Sequence, residues 1–217
     1  MANPSSDATK DVDSQVTQLD LLRHGECEGG NIFRGHLDVH LTPAGLKRMH
    51  KVAQASQAQW HSVISSPLQR CWQCVQSLPL ADNTKRRHDV RLQEMSFGDW
   101  DGKKITDVWA DDYERIARWT KNPAQCSPPN GESLEQVEQR IRPFLQECLA
   151  EQRGKKILLV THGGIVRVIL SHLLGMPMDY ANRWQVPYAC FTRLAIYHHA
   201  QQPPLIQLVA HNFIQVD

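Results

Sequence analysis

The chain has 217 residues, 41% of them apolar, and its 24 Lys and Arg against 23 Asp and Glu leave a formal net charge of +1. That balance, with no basic block anywhere, excludes a protein that grips nucleic acid or an anionic membrane by bulk electrostatics, so an anionic ligand must be met by a few local charges. The length suits one α/β domain with a sizeable core, and six cysteines over 217 residues are too sparse for a disulfide scaffold.

Residues 1–17, with Asn3-Pro4-Ser5-Ser6-Asp7, hold almost nothing that can be buried and are predicted to be a disordered extension to a single domain over 18–217. No stretch of apolar residues approaches the roughly 18 to 20 that cross a bilayer, and the first residues lack a signal-type segment, so a cytoplasmic protein is expected. From Gln18, the apolar stretch Leu19, Leu21, Leu22 reads as a buried strand running into Arg23-His24-Gly25. Thr42-Pro43 is a helix start, with Leu46, Met49 and Val52 at helical spacing toward Gln59. Ser62–Ser65 is a short strand, and Ser66-Pro67-Leu68-Gln69 reads as a capping box opening a helix to about Ser77, with Arg70 near its start.

Residues 96–130 are the least regular part of the chain. Their prolines and large aromatics suggest a partly helical cap. Ser133-x-x-Gln136 then opens the clearest helix, with Leu134, Val137, Ile141, Leu145 and Cys148 on one face and a bend expected at Pro143. Ile157–Val160 is a continuous apolar run of the kind buried in parallel sheets, ending in Thr161-His162-Gly163-Gly164 before a helix to Gly175. Phe191–Tyr197 and Leu205–Val209 close the chain as strands. Alternating strands and helices predict an α/β fold with a mostly parallel sheet.

Two apolar strands thus each end in His-Gly, where ligands bind in open α/β sheets, and both histidines can face one crevice. With Arg23 and Arg70 nearby, the set suits a phosphate dianion: planar guanidiniums that bind bidentately, imidazoles, and helix-terminal N–H groups. Alone, Arg-His-Gly is a weak triplet, and a histidine at a strand end is more often structural. Six motifs in order are more specific: Leu22-Arg23-His24-Gly25-Glu26, Leu41-Thr42-Pro43-Ala44-Gly45, Ser65-Ser66-Pro67-Leu68-Gln69-Arg70, Gln93-Glu94 through Gly98-Asp99-Trp100, Gly131-Glu132-Ser133, and Thr161-His162-Gly163-Gly164. Together they resemble the histidine phosphatase (phosphoglycerate mutase-like) superfamily, which implies a three-layer α/β/α fold with a small helical cap. Phe97–Trp100, the short cap and Leu174-Gly175-Met176-Pro177 are most similar to its α-ribazole 5′-phosphate phosphatases, which act in cobalamin synthesis.

The resemblance implies a phosphomonoesterase that needs no cofactor or metal and takes a small phosphorylated metabolite, with no nucleic-acid or membrane partner. It assigns His24 as nucleophile, Glu94 as general acid and then base, and Arg23, Arg70, His162 and Gly163 as the phosphoryl-binding set. Relatives often carry a phosphate-binding Asn seven residues after the motif's Arg. Here that position is Gly30, so Gly30, Gly29 or the neighbouring Asn31 are the candidates to replace it. Arg34, Trp100 and Glu132 are candidates for substrate contact near the cap. His36 and His40 have H-x-x-x-H spacing without helical context or a third ligand, and Cys71 and Cys74 read as packing. Competing functions are a broad phosphatase, a phosphoglycerate mutase, and a phospho-ligand binding module without turnover.

Overall fold

The computed structural model describes residues 15–199 and 201–214. It contains six strands, β1 (Val16–Arg23), β2 (Ser62–Ser65), β3 (Lys85–His88), β4 (Lys156–Thr161), β5 (Phe191–Tyr197) and β6 (Leu205–His211). Six α-helices join them: α1 (Pro43–Ala55), α2 (Gln69–Ser77), α3 (Ile105–Asp111), α4 (Tyr113–Lys121), α5 (Leu134–Glu151) and α6 (Gly163–Leu173). The strands form one sheet in the order β3-β2-β4-β1-β5-β6. β1, β2, β3 and β4 run parallel, and β5 and β6 are added antiparallel on one side. This is the mostly parallel α/β architecture expected from the alternation of strands and helices.

Period-2 alternation in the central strands sorts the core into two faces. Leu19 and Leu21 of β1 and Ile157 and Leu159 of β4 join α5 and α6 on one side, in a cluster with Val137, Ile141, Val166 and Ile169. Leu22, Leu158 and Val160 point the other way, onto Met49 and Val52 of α1 and Cys71, Cys74 and Val75 of α2. Each of these apolar side chains is essentially inaccessible, and burial of that kind stabilises by about 1.5–3 kcal/mol per large aliphatic residue. The result is a rigid base under the carboxyl ends of β1 and β4.

The chain leaves those two ends in opposite directions. After β1 it crosses through α1 to β2, beyond β4, and after β4 it crosses through α6 to β5, beyond β1. Such a reversal opens a crevice outside the strand ends.

Several local readings change. β1 begins at Val16, two residues before the expected start, and Thr17 is fully buried; the rest of the predicted extension, residues 1–14, lies outside the described residues. Ser66 does not cap α2 as a capping box: the helix begins at Gln69 after Leu68, without a side-chain cap. Strand β3, the sequence Lys-Arg-Arg-His, is exposed along its length and carries no apolar signal by which it could be recognised. Pro143 sits inside α5, which continues to Glu151, and the Ser133/Gln136 capping box is formed in both directions. Within the irregular region, α3 and α4 enclose a small apolar core of Phe33, Trp100, Val108 and Ile116. Among the described residues no helix is long and apolar enough to cross a membrane.

Candidate active site

Arg23 is the last residue of β1 and His24 follows it; His162 stands between the end of β4 and the first residue of α6. The two chain segments are tied where they leave the sheet, because His24 N–H donates to the Thr161 carbonyl at 2.9 Å. Their rings lie 5.2 Å apart, both buried. The two His-Gly motifs thus converge at the carboxyl end of the sheet, but only the His24 ring faces the cavity, with His162 packed behind it.

Hydrogen bonding fixes which nitrogen of His24 is free. Its Nδ1 is 2.8 Å from the Gly25 carbonyl, an acceptor, so Nδ1 carries the hydrogen and Nε2 keeps the lone pair in the neutral ring. Burial, reinforced by the positive charges of Arg23, Arg70 and Arg34, holds the His24 pKa well below that of an ordinary histidine. The ring thus stays unprotonated, with a lone pair available on Nε2. Cys27 lies 3.4 Å from the same Nδ1, and burial pushes its thiol up, so it stays protonated and poorly nucleophilic.

His162 is neutral for the same reasons, burial first and then Arg70, His24 and Arg23. Its Nδ1 accepts from Arg70 Nε at 3.2 Å, which leaves Nε2–H to donate to Ser66 Oγ at 2.7 Å. The remaining Arg70 donors reach the carbonyls of Leu37 (2.8 Å), Arg34 (3.1 Å) and Gly35 (2.7 Å). Arg70 and His162 are both fully buried behind His24, and neither is among the cavity-lining residues. Ser66 serves this layer, orienting His162 where the sequence suggested a helix cap.

Two depressed histidines have a pH consequence. In the unfolded chain they protonate near the ordinary value of 6.5, whereas the folded protein resists protonation until lower pH. Their contribution to stability is therefore complete above about pH 6.5 and is lost as pH falls below it, by up to about 1.4 kcal/mol per group per pH unit. Urea denaturation at pH 7.5, 6 and 5 should show the midpoint falling below pH 6.5. A midpoint constant over that range contradicts the assignment of both rings as neutral.

Glu94 reaches the crevice from the loop after a 3₁₀ turn at Val90–Leu92. Its carboxylate accepts from Met95 N–H (3.0 Å, Oε1) and from Gly164 N–H (3.1 Å, Oε2), and its carbonyl meets His36 Nε2 (3.0 Å) and Arg140 Nη2 (3.1 Å). A Cβ on Gly164 would stand 2.5 Å from Glu94 Oε1. Only glycine lets the first turn of α6 come this close to the carboxylate. Gly164→Ala should therefore displace Glu94 and lower kcat/KM by about 10- to 100-fold, while unfolding is little changed because alanine favours the helix. Steady-state kinetics beside thermal unfolding check this; unaltered activity would show that Glu94 placement is unimportant.

These groups open onto a cavity of about 260 Å³. Arg23, His24, Arg34, Glu94 and Gly163 line it, with Asn31 at its edge and an apolar wall that includes Ile32, Phe33, Phe97, Ile105 and Trp119. Other candidates fall elsewhere. Trp100 is turned into the cap core, 2% exposed, with its indole N–H on Asp112, so it offers no stacking face. Glu132 is occupied by Arg140 (3.0 Å) and Ser96 N–H (2.8 Å), and it supports the Glu94 loop from behind. Gly30 has a positive φ of 71° and presents no side chain.

Three polar lining residues escaped sequence reading, Arg167, Asn182 and Tyr188, as did apolar ones such as Ile32, Phe33 and Ile105. Arg167 follows Gly163 by one helical turn on α6, a spacing that could have revealed it. Tyr188 lies in a loop with no pattern to betray it. Its ring carries the Arg23 guanidinium at 4.4 Å and lies 5.7 Å from the His24 ring. Among the described residues no group of three His, Cys, Asp or Glu side chains is arranged to hold a metal.

A neutral imidazole lining the cavity, with guanidiniums around it and a carboxylate on the wall, is equipment for moving a phosphoryl group. Fold and site together define the class, a phosphoric monoester hydrolase. The chain belongs to the histidine phosphatase superfamily (branch 1), whose family model matches residues 19–207. It is similar to the adenosylcobalamin/alpha-ribazole phosphatase of Escherichia coli, 28% identical over 82% of this chain and 90% of that one. A Hydrogenobacter thermophilus protein named as a phosphoserine phosphatase is 31% identical, covering 79% and 84%. The solved mycobacterial glucosyl-3-phosphoglycerate phosphatase superimposes with a TM-score of 0.82 at 26% identity, over 91% of this chain and 99% of that one.

Proposed function

We propose that the enzyme hydrolyses a small phosphate monoester through a phosphohistidine on His24, without a metal. His24 Nε2 forms a bond to phosphorus as the ester P–O bond breaks, and the proton on Glu94 goes to the leaving alkoxide. Water then gives a proton back to Glu94 and its oxygen to phosphorus, releasing inorganic phosphate and free His24. Arg23 lies beside the reacting group, and Arg70, whose donors are spent on carbonyls and on His162, contributes its buried positive charge from behind the nucleophile, where His162 holds it in place. The observation that carries this reading is the neutral His24 ring, with Nδ1 committed to Gly25 and Nε2 left to attack.

For the substrate, we infer α-ribazole 5′-phosphate or the corresponding cobamide 5′-phosphate. The apolar wall of Phe97, Trp119 and Ile105 suits a flat base-like leaving group, and the Escherichia coli relative bears that activity in its name. One feature favours a second reading. Arg167 gives a hydrogen bond to the Trp184 carbonyl through Nε alone, leaving the rest of its guanidinium for an acidic leaving group such as that of phosphoserine. Phosphate release from α-ribazole 5′-phosphate, phosphoserine, 3-phosphoglycerate and simple sugar phosphates, assayed with chelator present, decides between them. A kcat/KM for α-ribazole 5′-phosphate at least tenfold above the others is expected. An equal or lower value removes the substrate assignment, and loss of all turnover in chelator removes the metal-free mechanism.

A further inference from the structure

The usual phosphate-binding asparagine is replaced by Gly30, and the structure shows what occupies its neighbourhood. Arg34 is buried, 8% exposed, and lines the same cavity as Arg23, His24 and Glu94. Its Nη2 donates to the carbonyls of Glu28 (2.8 Å) and Gly30. Gly29 and Gly30, at φ of 86° and 71°, give the loop a left-handed course that other residues rarely adopt. The backbone of Arg34 is held as firmly, since the Arg34 and Gly35 carbonyls both accept from Arg70 and Gly35 N–H donates to Asp101. Glycine loop and guanidinium are thus built around each other.

That arrangement fixes the plane of the guanidinium while leaving part of it unsatisfied. Nε is buried without a partner, and Nη1 meets no protein acceptor among the described residues. The charge is close enough to His24 to help hold its pKa down. Asn31, the other candidate, is exposed, and its carbonyl is taken by Ile105 N–H of the cap (3.2 Å). A preoriented cation with free donors competes better for a phosphate oxygen than an exposed neutral amide.

We propose that Arg34 is a phosphoryl ligand of this enzyme, donating to a non-bridging oxygen of the group transferred to His24 in place of the missing asparagine. The proposal rests on the phosphohistidine reading above. In it, the Gly29-Gly30 turn orients Arg34 and is not itself the anion site.

The test compares Arg34→Gln, Arg34→Lys and Asn31→Ala with wild type, using orthovanadate and inorganic phosphate as competitive inhibitors. Wild-type enzyme is trapped as the phosphoenzyme in parallel. Arg34→Gln should weaken both inhibitors by about 10- to 100-fold, Arg34→Lys by less, and Asn31→Ala by under threefold. An Arg34→Gln variant that is folded by circular dichroism and binds vanadate within threefold of wild type overturns the proposal, as does a loss confined to Asn31→Ala. A readout in the unmodified protein stands if Arg34→Gln does not fold. The Arg34 side-chain N–H resonance, identified by its absence in Arg34→Lys, should shift on saturating phosphate, and an unmoved resonance overturns the proposal. Wild-type enzyme that forms no phosphohistidine refutes the underlying reading, whereas normal phosphorylation with vanadate-insensitive Arg34 refutes this inference alone.

Discussion

His24→Ala should reduce turnover of every substrate by at least about 10⁴-fold and leave the fold intact. Removing the nucleophile of a covalent mechanism costs orders of magnitude, because what remains is binding and charge stabilisation alone. Structural loss is expected to be modest, since the ring's direct hydrogen bond is to its neighbour Gly25 and the strand is secured by its backbone pairing to β4 and β5. A binding role for His24 predicts something else: a raised KM with kcat nearly unchanged. Measuring kcat and KM separately, beside circular dichroism and thermal unfolding, discriminates the two. Retention of more than about a hundredth of wild-type kcat in a folded variant excludes His24 as nucleophile.

Glu94→Gln carries the second large effect, a fall in kcat of about 10²- to 10⁴-fold, the usual worth of a placed general acid–base. Its dependence on substrate is the more telling readout. An alkyl leaving group needs a proton as the P–O bond breaks, whereas p-nitrophenolate leaves without one. The variant should accordingly lose less in the phosphorylation step with p-nitrophenyl phosphate than with a sugar phosphate. With the aryl substrate, slow attack by unactivated water should let the phosphoenzyme accumulate. Glutamine keeps an acceptor for only one of the two N–H groups that hold the native carboxylate, Met95 on Oε1 and Gly164 on Oε2, so the dependence on leaving group, and not the size of the loss alone, separates proton transfer from placement. Equal losses for both substrates with no accumulation would assign Glu94 to positioning instead.

The parts of the fold legible in the sequence were those with a repeating physical signal. β1 and β4 are short apolar runs that end in His-Gly, and α5 shows both its capping box and its apolar stripe. β3 was not legible because it is an exposed, fully polar strand whose conformation comes from backbone pairing to β2, not from burial. Ser66 illustrates a different limit. Ser-Pro-x-Gln matches a local capping rule, yet its hydroxyl is used by His162, 96 residues away in sequence, and local rules do not register such a partner.

At the site, the His24 and His162 positions were legible because adjacent glycines and apolar strands mark them. Trp100 was misplaced by the same kind of reasoning, since a large aromatic in a cap can face either the cavity or the cap's own core, and Phe33, Val108 and Ile116 draw it inward. Tyr188 was not legible: it approaches Arg23 and His24 from a loop 165 and 164 residues later in the chain, through the antiparallel return that places β5 beside β1. Arg34 was visible only as a cap candidate. Its hold on the Glu28 and Gly30 carbonyls depends on a left-handed turn that glycine permits but does not announce.

The near-neutral total charge of the chain thus conceals a strongly cationic pocket, with Arg23, Arg34 and Arg167 on its walls, Arg70 behind, and Glu94 facing them. Such a pocket can stabilise a transferring phosphoryl group provided a nucleophile within it is free of protons. Rapid acid-free quenching of wild-type enzyme during turnover of p-nitrophenyl phosphate, in excess chelator, followed by peptide mass mapping and ³¹P NMR, tests that directly. Phosphate on Nε2 of His24, formed and discharged at rates compatible with turnover, is the expected result. Turnover with no phosphoenzyme, or with phosphate on any other residue, contradicts the account.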